Sequence, residues 1–113
     1  MTLSILKRTA LAVSALLLTC VSASTAEWKF KVYNKSQTAA VEFRTQEDGE
    51  WSKNWISDRI EPGDTFNMDF GHDDGNCKVR TQIRFTDGTY FDADVDYCKV
   101  SNLYVYEQRM TWD

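Results

Sequence analysis

A segment closed at both ends by cysteine constrains the fold of this chain more than any other feature. Residues 77–98 read CKVRTQIRFTDGTYFDADVDYC. Apolar and polar residues alternate along both halves of the segment, which is the pattern of strands that bury one face. The two halves meet at Asp87-Gly88, a dipeptide typical of hairpin turns. The segment therefore predicts a β-hairpin with one apolar face and one polar face.

The turn of this hairpin decides which residues face each other across the two arms. A three-residue turn over 86–88, with Gly88 in the left-handed conformation, aligns the apolar positions of both arms. A two-residue turn at Asp87-Gly88 would instead place Ile83 opposite Asp92, and the mismatch would run along the whole hairpin. We therefore predict the three-residue turn, with the cross-strand pairs Ile83–Phe91, Val79–Val95, Arg80–Asp94 and Lys78–Asp96.

The N-terminal residues have the layout of a secretory signal peptide. A basic pair at 7–8 precedes an apolar run over 10–18, and small residues follow up to Ala26. The apolar run is shorter than the roughly 20 residues that span a bilayer. We predict a leader of residues 1–26, with cleavage after Ala23 as the alternative, and a mature protein that is periplasmic or secreted.

Cys20 lies just after the apolar run and raises the alternative of a lipoprotein. The residue before it is Thr19, whereas lipoprotein processing favours glycine, alanine or serine at that position. We therefore predict that Cys20 is removed with the leader.

The two remaining cysteines, Cys77 and Cys98, form an even pair in a chain predicted to be exported. Such a pair predicts a disulfide bond. In the three-residue register Cys77 lies opposite Tyr97 rather than Cys98, so the two sulfurs can meet only if the strand bends or bulges there. We predict a β-bulge near Tyr97.

The rest of the mature chain, within a single domain over 27–113, also reads as strands and turns. An alternating strand begins at Trp28, and a second strand over 39–44, reached by a turn at 34–36, completes a predicted hairpin. The polar, glycine-containing stretch 46–50 predicts a loop. The inward-facing side chains of these first two strands are predicted to be Trp28, Phe30, Val32, Val41 and Phe43.

Two further strands follow the only proline of the chain. Pro62-Gly63 predicts a turn, the alternating stretch 65–70 predicts the strand after it, and 102–106 predicts the last strand. Together these patterns give six or seven strands and no segment of helical periodicity. We predict an all-β fold, a small antiparallel β-sandwich or barrel with one disulfide.

The charge of the mature domain excludes two classes of partner. The predicted leader contains two of the 13 basic residues and none of the 17 acidic ones, which leaves the mature domain at a net charge of −6. Binding to nucleic acid or to an anionic membrane surface requires a basic face. We therefore predict neither partner.

No constellation of residues in the sequence predicts catalysis, a metal or a cofactor. His72 is the only histidine, and with both cysteines paired it cannot form a zinc site with them. Positions 92, 94 and 96 carry aspartates, but alternate positions on a strand lie roughly 7 Å apart, too far for one ion to bind all three. The stretch 73–76 lacks the spacing of a helix-loop-helix calcium site and predicts a turn. We predict no catalytic residue, no metal site and no cofactor.

A series of landmarks in the mature chain resembles a family of small exported bacterial proteins. Members of this family are mostly uncharacterised, and some carry the name argininosuccinate lyase. That chemistry belongs to a far larger helical enzyme, so the name does not transfer to a domain of this size. The resemblance implies a periplasmic β domain with one disulfide and supplies no catalytic residues. It rests on the turn at 34–36, Trp51, Ile60, Pro62-Gly63, the strand ending near Phe70, Cys77, the stretch IRFTDG and Cys98.

A binding module is the function class that the sequence favours. Trp51 and Trp55, with Lys53 and Arg59 nearby, predict an aromatic patch, and aromatic and arginine side chains are common anchors of protein interfaces. The competing interpretation is that the tryptophans cap the core beneath a long loop.

The acidic charge favours a basic exported protein as the partner, for example a lysozyme-like hydrolase, and hence an inhibitor-like or immunity-like role. Two alternatives stay open. The first is a glycan-binding module that stacks sugars on exposed tryptophans, and the second is a structural envelope protein that binds neither class of ligand.

Overall fold

A computed structural model describes residues 28–71 and 75–113. The predicted leader, Cys20 and His72 lie outside these residues. The described chain forms eight strands and one short 3₁₀-helix. Their bounds are β1 Lys29–Asn34, β2 Ala40–Glu47, β3 Glu50–Trp51, β4 Thr65–Asp69, β5 Lys78–Phe85, β6 Tyr90–Asp96, the 3₁₀-helix Tyr97–Lys99, β7 Asn102–Val105 and β8 Met110–Trp112.

The strands form two four-stranded sheets that pack face to face. The first sheet has the order β4-β1-β7-β8 and the second has the order β3-β2-β5-β6. Buried apolar side chains of both sheets form a single core cluster, which is the arrangement of a β-sandwich. The predicted all-β sandwich is therefore confirmed. Among the described pairings, only β1 with β7 is parallel, a contact that the antiparallel prediction did not include.

The first two strands alternate as predicted but do not form a hairpin. Phe30, Val32 and Phe43 are buried, yet β1 pairs with β4 and β7, whereas β2 pairs with β3 and β5. The predicted hairpin is therefore wrong, because the turn after β1 carries the chain from one sheet to the other.

Asn34 fixes this crossing between the sheets. Its side-chain Nδ2 donates hydrogen bonds to the carbonyl oxygens of Thr38 (2.9 Å) and Ile60 (2.8 Å). Its Oδ1 accepts hydrogen bonds from the backbone N–H (2.9 Å) and the hydroxyl (2.6 Å) of Ser36. Only 1% of Asn34 is exposed, so its side chain provides partners for backbone groups that water does not reach.

Two local features of β2 differ from prediction. The stretch predicted as a loop at 46–50 contains a tight hairpin, because Asp48 and Gly49 have φ angles of 53° and 83° and connect β2 to β3. A register irregularity between Ala40 and Glu42 shifts the alternation. Val41, which was predicted to face inward, is therefore only half-buried, and Ala40 enters the core in its place.

The hairpin of β5 and β6 has the predicted register. All four predicted cross-strand pairs are present, and Gly88 has a φ angle of 87°. Hydrogen bonds between Phe85 and Thr89 and from the Gly88 N–H to the Phe85 carbonyl close the three-residue turn. The apolar faces of the two arms therefore point into the core together.

The disulfide between Cys77 and Cys98 is present, with a Cα–Cα distance of 5.1 Å. The chain turns at Tyr97 through the 3₁₀-helix rather than through the predicted bulge. The Asp96 carboxylate accepts a hydrogen bond from the Cys98 N–H at the start of this helix, and Tyr97 N–H donates to the Cys77 carbonyl at 2.7 Å. This turn brings Cys98 back towards Cys77.

An aromatic cluster fills one end of the core. Phe70 lies at its centre, with ring centroids of Phe30, Trp55 and Tyr97 within 5.3 Å of its own. The hydroxyls of Tyr97 and Thr81 share a hydrogen bond of 2.7 Å inside the core. Burial raises the pKa of Tyr97 above its ordinary value, so this hydroxyl stays protonated under ordinary conditions.

The C-terminal end of the chain adds a strand that the sequence analysis did not predict. β8 pairs with β7, and Met110 is buried beside Val105. Leu103 and Val105 of the predicted last strand face the core, and the predicted strand after Pro62-Gly63 is also confirmed. The described chain therefore has eight strands, whereas six or seven were predicted.

Candidate functional site

The outer face of the second sheet presents both of the large, strongly exposed aromatic side chains of the described chain. Tyr90 is 56% exposed and Trp51 is 38% exposed. Tyr90 pairs with Arg84 on β5, and Trp51 pairs with Gln46 on β2. Because cross-strand partners share a face of the sheet, the two rings lie on the same outer surface, on opposite edge strands.

Three arginines project from the strands between these two rings. Arg44 lies on β2, and Arg80 and Arg84 lie on β5, each between residues that point into the core. We call this surface the arginine face, defined by Arg44, Trp51, Arg80, Arg84 and Tyr90, together with the neighbouring polar residues Glu42, Gln46, Gln82, Asp92 and Asp94.

Ion pairs and hydrogen bonds hold the side chains of the arginine face in place. Arg80 lies 3.2 Å from Asp94, while Arg44 and Arg84 lie 3.1 Å and 3.7 Å from the same oxygen of Glu42. Such partly exposed pairs each contribute only about 0–1 kcal/mol to stability. Their main consequence is a surface with nearly balanced charge and restrained side chains.

Arg84 also stacks on the exposed tyrosine. Its guanidinium carbon lies 4.6 Å from the centroid of the Tyr90 ring, within the range of a cation–π contact. The contact covers one side of the ring and leaves the exposed remainder of Tyr90 open to solvent. Arginine and tyrosine therefore form a joint anchor at this corner of the arginine face.

The four residues of the predicted tryptophan patch lie in different places. Trp55 is half-buried: its ring packs on Phe70 at 4.7 Å, and its Nε1 donates to the Thr45 hydroxyl at 3.0 Å. Lys53 lies over the same ring, with its Nζ 5.0 Å from the centroid. The structure thus brings Lys53 and Trp55 together, with Trp55 capping the core, whereas Trp51 lies on the outer face of the sheet.

Arg59 is far from Trp51. It precedes Ile60, which pairs with Ala40 at the start of β2, whereas Trp51 pairs with Gln46 near the end of the same strand. Six residues of strand separate the two pairings, a distance of about 20 Å. Arg59 instead forms an exposed ion pair with Glu61 at 2.6 Å.

The sequence analysis did not select Tyr90, Arg80 or Arg84 as site residues. All three occupy polar-face positions of the predicted hairpin, so the alternation already placed them on one surface. What the sequence could not show is that β2 and β3 pair beside this hairpin and add Arg44 and Trp51 to it.

The three aspartates of β6 have individual partners in the structure. Asp94 pairs with Arg80, Asp92 accepts a hydrogen bond from the Gln82 side chain at 3.0 Å, and Asp96 begins the 3₁₀-helix. Asp96 also lies close to Cys77 and Cys98. Those two sulfurs are bonded to each other, so they are not thiolate ligands for a metal.

A small cavity lies at the end of the core beside Trp28, Trp55 and Phe70. Its volume is about 50 Å³, whereas sites for small organic ligands have roughly 300–1,000 Å³. Since Phe70 and Lys53 pack against the Trp55 ring, the cavity offers no open platform on which a sugar could stack.

In the part that the structure describes, no helix has the length and apolar character needed to cross a membrane. Searches against protein-family models, curated proteins and solved structures found no match to this chain. Its function must therefore be argued from its own surface.

Proposed function

We propose that this protein is an exported, disulfide-braced binding module that recognises a protein partner through the arginine face. The observation that carries the proposal is the placement of Trp51 and Tyr90, the exposed large aromatic residues, on the same outer sheet surface as three arginines. Tryptophan, tyrosine and arginine are the residue types most enriched among the energetically dominant contacts of protein interfaces.

The rigidity of this surface supports a role in recognition. The side chains extend from regular strands, and pairs such as Arg80–Asp94 and Arg84–Glu42 restrict their motion before a partner arrives. A preorganised surface loses less conformational entropy on binding, which strengthens an interface of a given area. The arginine face therefore meets a requirement for specific binding that a set of mobile surface side chains would not meet.

The charge of the domain favours a basic partner. Carboxylates balance the arginines locally, while the predicted mature domain as a whole has a net charge of −6. An acidic protein attracts a basic one over long range and increases the rate of encounter. The inhibitor-like or immunity-like role predicted from the sequence therefore remains the proposal, with an exported basic protein as the target.

The size of the surface indicates that neighbouring loops contribute to the contact. Strands spaced about 4.8 Å apart, with seven or eight residues in the longer ones, give the arginine face a flat area of roughly 400 Å². A stable interface buries about 800 Å² per partner. The partner would therefore extend beyond the sheet onto adjacent loops.

We expect truncation of both exposed rings to abolish most of the binding. The oxidised protein would be immobilised and exposed to an extract of the compartment to which it is exported. It should retain one basic protein in an amount equimolar with itself. The double variant Trp51→Ala/Tyr90→Ala should bind that purified partner about a hundredfold more weakly, because each ring would be an anchor of the interface. Isothermal titration calorimetry would measure both affinities.

The matched control for this experiment is Tyr104→Ala, which removes a ring from the outer face of the first sheet, where Tyr104 stacks on Tyr33. The control should bind the partner as the unaltered protein does. Equal binding by the Trp51→Ala/Tyr90→Ala variant would contradict the proposal. Retention of no protein, together with quenching of tryptophan fluorescence by soluble glycans, would favour the glycan-binding alternative instead.

A further inference from the structure

A cleft of about 480 Å³ borders the arginine face at Tyr90. Three loops surround it: the crossing after β1, the turn between β5 and β6, and the connection between β7 and β8. The side chains that matter for its chemistry are those of Thr38, Asp87, Tyr90, Glu107 and Gln108. A volume of this size accommodates a small ligand or a long side chain of a partner.

Two carboxylates in this cleft are held in place by the backbone. Asp87 Oδ1 accepts hydrogen bonds from the Thr89 N–H at 3.0 Å and from the Thr89 hydroxyl at 2.6 Å. Glu107 Oε2 accepts a hydrogen bond from the Gln37 N–H at 2.9 Å. No other residue of the described chain donates a hydrogen bond to the second oxygen of either carboxylate, so each can accept a bond from a ligand.

The charge of the lining selects the class of ligand. The cleft is lined by two acidic residues and, among the described residues, by no lysine or arginine. The exposed ring of Tyr90 adds an aromatic surface at its border. Carboxylates and an aromatic ring together favour a cationic group, through charge-assisted hydrogen bonds and a cation–π contact.

We propose that this cleft binds a lysine or arginine side chain of the protein partner, between the Asp87 and Glu107 carboxylates and beside the Tyr90 ring. The inference deepens the proposed function and rests on it. Tyr90 belongs both to the cleft and to the arginine face, so one partner can cover the two surfaces continuously. The cleft also supplies part of the contact area that the flat sheet lacks.

A titration with a small cationic probe tests the cleft without the partner. N-acetyl-arginine-N-methylamide would be added to the ¹⁵N-labelled, oxidised protein produced from the full-length chain. Amide resonances of residues 87–90 and 107–108 should shift. N-acetyl-citrulline-N-methylamide, which has nearly the same shape but no charge, should bind at least tenfold more weakly, because it cannot form charge-assisted hydrogen bonds.

Two variants locate the effect. The double variant Asp87→Asn/Glu107→Gln keeps an acceptor oxygen for Thr89 and Gln37 but removes both charges, and it should weaken binding of the arginine probe about tenfold. The control Glu47→Gln/Glu50→Gln removes the same charge from the hairpin at the far end of β2 and should leave binding unchanged. Unshifted cleft resonances, equal binding of the citrulline probe, or the same shifts with glucose would each overturn the proposal.

The outcomes for the cleft and for the proposed function can be separated. If a partner needs Trp51 and Tyr90 but binds Asp87→Asn/Glu107→Gln with unchanged affinity, the cleft proposal fails and the proposed function stands. If the arginine probe binds the cleft but no partner depends on the arginine face, the proposed function fails. The cleft then binds cations, but its ligand is not a side chain of a protein partner.

Discussion

Replacement of Asn34 by alanine should lower the free energy of unfolding by about 4 kcal/mol. The change removes the two Nδ2 hydrogen bonds to the Thr38 and Ile60 carbonyls and leaves the buried Ser36 N–H without its acceptor at the crossing between the sheets. The two carbonyls keep one donor each, the Ser36 hydroxyl for Thr38 and the Ala40 N–H for Ile60. Each lost hydrogen bond costs about 1 kcal/mol, and the buried N–H left without an acceptor costs about 1–3 kcal/mol. Urea unfolding followed by tryptophan fluorescence would measure the loss.

Asn67→Ala is the matched control for this experiment. Asn67 is exposed on the edge strand β4, so the same chemical change there should alter the free energy of unfolding by less than about 0.5 kcal/mol. If Asn34→Ala were no more destabilising than Asn67→Ala, Asn34 would not hold the two sheets at their crossing.

Removal of the disulfide should have the second largest effect. The double variant Cys77→Ser/Cys98→Ser opens a loop with a sequence separation of 21 residues, and we expect the free energy of unfolding to fall by about 3 kcal/mol. The bond stabilises the domain mainly by restricting the unfolded chain. A domain of this size has little stability in reserve. Chemical unfolding of both proteins under the same conditions would give the difference.

Reduction of the unaltered protein provides an independent control. Because the disulfide is exposed, a thiol reductant should reach it without prior unfolding. The reduced protein should then unfold at the same denaturant concentration as the double serine variant. A serine variant as stable as the oxidised protein would show that the bond does not brace the fold.

The hairpin of β5 and β6 could be predicted in detail because two independent signals agreed. The alternation of apolar and polar residues determined which residues share a face. The position of Gly88 then selected the one turn that aligns Ile83 with Phe91. The prediction failed only at its end, where the chain turns through a 3₁₀-helix at Tyr97 rather than through a bulge. Both structures let the sulfurs meet, and the sequence did not distinguish them.

Long-range pairing was the part of the fold that local signals could not predict. The turn after β1 has ordinary turn chemistry, but Asn34 binds Ile60, which is distant in sequence, and so directs the chain into the other sheet. The parallel pairing of β1 with β7 is also a long-range contact. By contrast, Asp48-Gly49 carries the local signal of a tight hairpin, and the structure shows that this signal outweighs the polar character of 46–50.

The candidate site could be predicted only in part for the same reason. Sequence proximity grouped Trp51, Lys53, Trp55 and Arg59, but the strand ends at Trp51 and the chain is irregular from 52 to 59, so proximity in sequence does not place these side chains on one surface. The structure instead combines Trp51 with Tyr90 and with arginines from two other strands. Sheet order, which brings these strands together, was the missing information.

The claim on which the proposed function most depends is that the protein is exported and oxidised. The intact mass of the protein isolated from the periplasm or the medium, measured before and after reduction and alkylation, tests it most directly. We expect the mass of residues 27–113 less two hydrogens, with no alkylation until a reductant is added. A mass that includes the first 26 residues, or alkylation of two free thiols without reductant, would contradict it.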